Sequence, residues 1–273
     1  MNKKAISFML IFISIPTILS TPVCAKIIET PEAVRYLHAR VSKSGSVFLE
    51  PEGILARVDS MNISLSIPQN TVRQKSRLIS VEGPDSYQFF EDEWGNRVIN
   101  LYWKNPDIGR DIDYEIIFDV EVSEKQEPAP GKTFPITDLI RPTEEIRRLS
   151  YKLATGLDEE RAILKLAEWV YNAVDYRRDY RNLEKSGEWV FRNRKAVCDG
   201  HSNLLITMLR SLGYNAYYVA GYAYTEETLG TYWGPHGWVE VELNGRLISI
   251  DPTWLESPVD STHIKFSNSP DSN

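Results

Sequence analysis

The sequence predicts two domains, an all-β sandwich followed by an α+β domain, on three observations. Apolar side chains alternate with period two between residues 47 and 122, a proline-rich break follows at 127–135, and beyond it the apolar spacing turns helical before returning to strand. The expected division is 1–25 as an export signal, 26–125 as the sandwich, 126–140 as a linker, 141–256 as the second domain and 257–273 as a polar tail.

At the start, Lys3 and Lys4 precede an apolar stretch at 5–19, and Val23-Cys24-Ala25 supplies small residues where a signal peptidase cuts. The stretch is broken by Pro16 and is short against the roughly 20 residues needed to cross a bilayer. Cleavage after Ala25 is therefore expected, with the protein secreted or held in the cell envelope and no stable membrane insertion. The formal net charge of −7 becomes more negative once Lys3 and Lys4 are lost, and no long run of Lys or Arg offsets it. Nucleic acid would have to bind against that field and is excluded as a partner. The densest basic stretch, Arg177, Arg178 and Arg181, is interleaved with Asp175 and Asp179 and reads as a solvated loop.

In the first domain Met61, Ile63, Leu65 and Ile67 alternate with Asn62, Ser64 and Ser66, and Ile112, Tyr114, Ile116, Phe118, Val120 and Val122 alternate mostly with acids. Half-buried antiparallel strands follow, separated by turns at 68–70, 83–85 and 95–96. Glu91, Asp92 and Glu93 lack the spacing of a calcium loop and are assigned to a hairpin turn. In the second domain Ile146, Leu149 and Leu153 form one helical stripe. Asp158 caps a second helix with Ile163, Leu166, Ala167, Val170 and Val174 on one side. A third helix begins at Cys198, carries Leu204, Leu205, Met208, Leu209 and Leu212, and ends before Gly213. Strands are expected at 215–221 and 237–251, and 262–266 can add an edge strand to an otherwise disordered tail.

Without the signal, Cys198 is the one cysteine left, so an extracellular thiol has no partner in the chain and its reactivity is the first explanation to test. A free thiol titrates near pH ~8.5 and attacks as the thiolate, which a helix amino end and a nearby imidazole both favour. The hairpin supplies the imidazole. Asn244-Gly245 is a two-residue turn that pairs Leu243 with Arg246, Val241 with Ile248 and Val239 with Ile250. Extended, this ladder sets Trp238 opposite Asp251 and His236 opposite Thr253. Val239, Val241, Leu243, Ile248 and Ile250 then share a core face, while His236, Trp238, Glu240, Ser249 and Asp251 share the other. Diagonal neighbours on one face lie roughly 7–8 Å apart, so Asp251 can orient the His236 ring.

The backbone N–H of Cys198 is the candidate oxyanion donor, with a side-chain donor left open among Trp189, Asn193 and Tyr176. Trp238, Trp233 and Tyr232 are candidate substrate contacts, the last two in a segment that leads into His236. His201 is expected on the helix surface, and His38 and His263 have no constellation around them. No zinc-ligand spacing occurs, so neither metal nor cofactor is expected.

The run Lys195-Ala196-Val197-Cys198-Asp199-Gly200-His201-Ser202, then Leu212-Gly213-Tyr214, His236-Gly237-Trp238-Val239-Glu240-Val241 and Ile250-Asp251-Pro252-Thr253-Trp254, resembles the transglutaminase-like superfamily over about 146–254. The resemblance implies a papain-like core with Cys198 as nucleophile, His236 as general base and acid, and Asp251 as orienting carboxylate. Ala196 departs from it, standing where the family often has glycine. The implied function is an exported cysteine enzyme that acts on protein or peptide amides through an acyl-thioester, with hydrolysis slightly ahead of transamidation. The alternative is a non-catalytic extracellular binding module that keeps the fold.

Overall fold

Thirteen residues of alternating burial, Tyr36–Phe48, form the first strand, β1, in a computed structural model that describes residues 34–51, 57–180, 185–224 and 233–273. The expected signal at 1–25, with Cys24, lies outside the described residues. Five more strands follow: β2 (Ser60–Ser66), β3 (Gln74–Glu82), β4 (Ser86–Glu91), β5 (Arg97–Lys104) and β6 (Asp111–Ser123). They make two three-stranded antiparallel sheets, β1-β6-β3 and β2-β5-β4. The alternation seen in sequence explains why: Ile99, Leu101, Ile116, Phe118 and Val120 point into one shared core while their neighbours face out. Of the acidic 91–93 stretch, Glu91 ends β4 opposite Arg97, and Asp92 and Glu93 enter the turn to β5, in which Oδ1 of Asp92 accepts from the backbone N–H groups of Trp94 and Asn96 at 2.9 and 2.8 Å.

The helices come next. Thr143 and Asp158 cap α1 (Glu144–Ala154) and α2 (Glu159–Ala173), each accepting from the backbone N–H three residues on. Short parallel strands β7 (Asp175–Tyr176) and β8 (Lys195–Ala196) bracket α3 (Gly187–Asn193), a helix too short to leave a readable stripe. The third expected helix is α4 (Cys198–Ser211). Strands β9 (Ala216–Tyr224), β10 (Trp233–Leu243), β11 (Arg246–Ile250) and β12 (His263–Ser269) form one antiparallel sheet in the order β11-β10-β9-β12. The helices bury Ile163, Leu166, Leu204, Leu205 and Leu209 against Val239, Val241 and Ile250 on one face of this sheet. On the other face Phe134, Tyr217, Trp238 and Leu247 pack together.

Two expectations change here. The stretch 126–135 runs along β11, with Ala129 N donating to the Gly245 carbonyl at 3.0 Å and Leu247 N donating to that of Glu127 at 2.9 Å. The residues expected to form a disordered tail are ordered. The edge strand β12 pairs with β9, and beyond it Ser272 is clasped by Asn203 of α4, whose Nδ2 donates to its Oγ at 2.8 Å and whose Oδ1 accepts its backbone N–H at 3.2 Å. The polar composition misled because these side chains are satisfied by a buried helix face rather than by water.

Two buried glutamines fasten the first sheets to β12. Oε1 of Gln74 accepts from Lys265 N at 2.8 Å and its Nε2 donates to the Lys265 carbonyl at 2.8 Å, so a side-chain amide stands where a neighbouring strand would. Nε2 of Gln69 likewise donates to the Phe266 carbonyl at 2.6 Å. Gln74→Ala would take the acceptor from Lys265 N in a dry setting, while the Lys265 carbonyl keeps Gln69 N at 3.0 Å, and chemical denaturation should show a loss of about 1–3 kcal/mol.

Candidate active site

Cys198 opens α4 and is half-buried. Its helix is capped by Val197, which offers no side-chain acceptor, so the first-turn N–H groups point to where an anion would sit. Two contacts hold α4 beside β10. Ser202 donates from Oγ to the Gly237 carbonyl at 3.1 Å, next to His236. The Tyr218 hydroxyl passes over Gly237 and donates to Oδ1 of Asp199 at 2.8 Å. A Cβ on Gly237 would fall 1.9 Å from that hydroxyl, so only glycine fits. Gly237→Ala should displace Tyr218 from Asp199, lower stability by about 1–3 kcal/mol in thermal melts, and slow reaction of Cys198. Ala196 is accommodated in a related way: its methyl occupies space that a Cβ on Gly200 would enter at 2.6 Å.

The hairpin has the register that the Asn244-Gly245 turn requires as far as Val239 opposite Ile250. It does not continue to Trp238 and Asp251 or to His236 and Thr253. β11 stops at Ile250, and Asp251 turns away to bridge Glu256. The carboxylate still reaches the imidazole: His236 Nε2 lies 2.7 Å from Oδ2 of Asp251, both buried. Oδ1 of Asp251 accepts from Thr253 N at 2.7 Å. With Nε2 on Asp251, Nδ1 is the nitrogen left for Cys198. Burial opposes a cation on His236, yet the charge and hydrogen bond of Asp251, with Cys198 beside them, push the imidazole up to about 10. Burial likewise opposes charge on Asp251, and the two histidines that face it overcome this and hold it well below the usual carboxylate range.

Trp254 is a site residue that the sequence did not assign a role. Its indole stacks on the His236 ring with centroids 4.2 Å apart and planes 4° from parallel, fixing the ring's plane. Three histidine and tryptophan expectations are corrected. Trp238 is 2% exposed and sits edge-on to His263 at 5.2 Å, so it supports the site from behind and cannot contact substrate. His201 is not on the helix surface but buried, with Nδ1 3.0 Å from the Val197 carbonyl and Nε2 3.2 Å from that of Val174. His263 does have a constellation: its Nε2 lies 3.4 Å from Oδ2 of Asp251.

Of the side-chain oxyanion candidates, Asn193 is turned back on its own helix, donating to the Trp189 carbonyl at 2.8 Å. Tyr176 lies against His201, ring centroids 6.1 Å apart. Trp233 is 39% exposed at the start of β10 and edge-on to Tyr224, while Tyr232 lies outside the described residues. Near the thiol, Asp199 Oδ1 is 3.7 Å from the sulfur, and Oδ2 of the same carboxylate is 3.5 Å from Lys185 Nζ. Among the described residues, two groups bring metal-ligand atom types within 4.8 Å of one another: His236, Asp251 and His263, and Glu256, Asp260 and His263. In the first of these the nitrogens and the carboxylate are already engaged with one another. A cavity of about 400 Å³ opens on the far side of the sheet, lined by Arg73, Trp238, Glu240, His263 and Lys265 among others, and does not reach Cys198.

A thiol at a helix tip, an imidazole and a buried carboxylate are carried on a mixed α/β core. Residues 147–252 match the family model of the transglutaminase-like superfamily. No curated protein matches the chain. Among solved structures, a candidate cysteine protease from Cytophaga hutchinsonii is 18% identical, with a TM-score of 0.58 over 86% of this chain and 84% of that one. The periplasmic domain of TgpA from Pseudomonas aeruginosa is 14% identical, with a TM-score of 0.39 over 76% of this chain and 75% of the other. At such identities the first likeness speaks to the fold. Among the described residues no helix is long and apolar enough to cross a membrane.

Proposed function

We propose that the protein is an exported cysteine enzyme that transfers the acyl group of a protein or peptide amide through a thioester on Cys198. What supports the reading is the buried His236–Asp251 pair at 2.7 Å, whose imidazole is raised in part by Cys198, with the sulfur at an uncapped helix amino end. The Cys198 thiolate adds to the amide carbon, and the C–S bond forms as the carbonyl oxygen takes the negative charge. The Cys198 N–H meets that oxygen. His236 then passes its proton to the departing nitrogen as the C–N bond breaks, leaving an acyl-thioester and a neutral imidazole. In the second half His236 takes a proton from water or an amine as it attacks, and the thiolate leaves. Asp251 keeps the ring oriented throughout.

Water is the acceptor we favour, because it is abundant outside a cell and a half-buried thiol does not exclude it. Trp233 and Tyr232 are the residues we place along the substrate path. The two sheets at β1–β6 are read as a sandwich domain over 26–125, joined through 126–140 to a catalytic domain that begins at 141 and extends past 256 to take in β12, and we place the protein outside the cell or in its envelope. The test is to offer glutamine-containing peptides with and without a labelled primary amine and to follow ammonia, cleavage and label together. Cleavage or ammonia without label supports hydrolysis and incorporated label supports transamidation. The absence of both, with peptide still bound, would favour the binding module.

A further inference from the structure

The Asp251 carboxylate is fully buried and has more than one imidazole on it. Oδ1 is taken by Thr253 N, while Oδ2 faces both His236 Nε2 at 2.7 Å and His263 Nε2 at 3.4 Å. The His263 ring is also fully buried and is gripped by aromatic faces: Trp238 edge-on at 5.2 Å and Trp254 at 5.7 Å, with the His236 ring 5.9 Å away. Its backbone is pinned at the start of β12 opposite Ala223. The ring therefore has little freedom to turn.

The far nitrogen is also surrounded by acid. His263 Nδ1 lies 3.7 Å from Oδ1 of Asp260 and 4.0 Å from Oε1 of Glu256. A neutral imidazole carries a proton on only one nitrogen and would turn a lone pair toward a carboxylate on the other side. A doubly protonated ring meets acids with N–H on both sides. We propose that His263 is a positioning residue of the Cys198 centre, a buried cation that shares Oδ2 of Asp251 with His236 and tempers the carboxylate's pull on the His236 proton.

This rests on the proposed function, and it gives that chemistry something it needs. A carboxylate bound to His236 alone would grip the proton that the ring must surrender to the leaving nitrogen. Sharing the carboxylate with a second cation loosens that grip and also favours negative charge at the sulfur. The charged and titratable groups around the His263 ring are Asp251 after β11, Glu256 and Asp260 in the turn before β12, and His236 on β10. Nearby, Lys265 on β12 is paired with Glu240 at 2.6 Å, and Arg73 donates to the Val259 and Asp260 carbonyls. Burial opposes charge on His263, but the hydrogen bond to Asp251 and the carboxylates of Asp260 and Glu256, which face an Nδ1 that has no hydrogen-bond partner of its own, raise its affinity for a proton above the ordinary value.

The test is the pH dependence of Cys198 alkylation by iodoacetamide in the full chain, comparing wild type with His263→Gln and His263→Phe. Gln keeps a donor toward Asp251 without the charge, so the acid limb of the rate curve should move up by about half to one pH unit while the melting temperature changes little. Phe removes both and should slow alkylation at neutral pH by about tenfold or more. A Gln curve that superimposes on wild type in a folded protein overturns the proposal. Should either variant fail to fold, nitrogen-15 imidazole spectra of wild type decide: both His263 nitrogens protonated across pH 6–8 supports it, and a neutral ring overturns it. Wild type and His236→Ala alkylating alike would instead remove the proposed function, an outcome the His263 spectra do not share.

Discussion

Cys198→Ala should lower turnover of any peptide substrate by at least about 10⁴-fold, because no other group in the site can carry the acyl chain. The folded state should barely notice. The thiol is half-buried, and its near polar neighbour, Asp199 at 3.7 Å, keeps Tyr218 and Lys185 as partners when the sulfur goes. The variant should therefore melt within about 1 kcal/mol of wild type and still bind peptide. Steady-state rates beside thermal melts separate the two effects. A variant that keeps most of its activity would show that the chemistry lies elsewhere, and one that binds as before with no wild-type turnover to lose would mark a binding module.

Asp251 should be costly to both activity and stability. In Asp251→Asn the shape is retained but the charge is gone, and an amide can no longer accept from both imidazoles at Oδ2. The His236 tautomer is then unspecified, and a loss of about 10³–10⁴-fold in activity is expected from the role of such a carboxylate. Asp251→Ala also strands two buried histidines and should destabilise the fold by about 3–5 kcal/mol. The pH dependence follows from the direction of each shift. His236, raised from 6.5 to about 10, contributes stability that is complete below about pH 6.5 and is lost as pH climbs toward 10. Asp251, lowered in the fold, contributes stability present above the ordinary carboxylate range and lost as pH falls below it. Melting temperatures of wild type should thus decline between about pH 6.5 and 10, and in Asp251→Asn that decline should flatten. An equally steep alkaline decline in both proteins would contradict the coupling.

The parts of this site that a sequence reveals are those fixed by local chemistry. Asn244 and Gly245 adopt positive φ of 51° and 77°, a geometry their residue types favour, and this alone sets Val241 opposite Ile248 and Val239 opposite Ile250. Asp158 and Gly213 mark helix ends for equally local reasons, the one accepting from Arg161 N and the other adopting a φ of 90°. Asp251 could be paired with His236 because the hairpin brings them near, although the ladder ends a residue short and a turn completes the approach. His263 and Trp254 were not legible, since they reach the site through irregular chain between β11 and β12 whose path depends on packing against Trp238 and the acids around it. Trp238 was misread for the converse reason. Period-two alternation correctly put it on the face opposite the helices, but that face is covered by Phe134, Tyr217 and Val259 from segments the hairpin does not predict. In the first sheets, β1 escaped notice because Ser42, Lys43, Ser44 and Gly45 interrupt its apolar alternation, although all of them pair with β6.

Whether Cys198, His236 and Asp251 act together is tested most directly without a substrate, by the rate at which iodoacetamide modifies Cys198 in wild type and in His236→Ala near pH 6, with the modified peptide identified by mass spectrometry. An imidazolium beside the sulfur predicts ready modification of wild type and a loss of at least about tenfold in the variant. Equal, slow rates in two folded proteins would contradict the account.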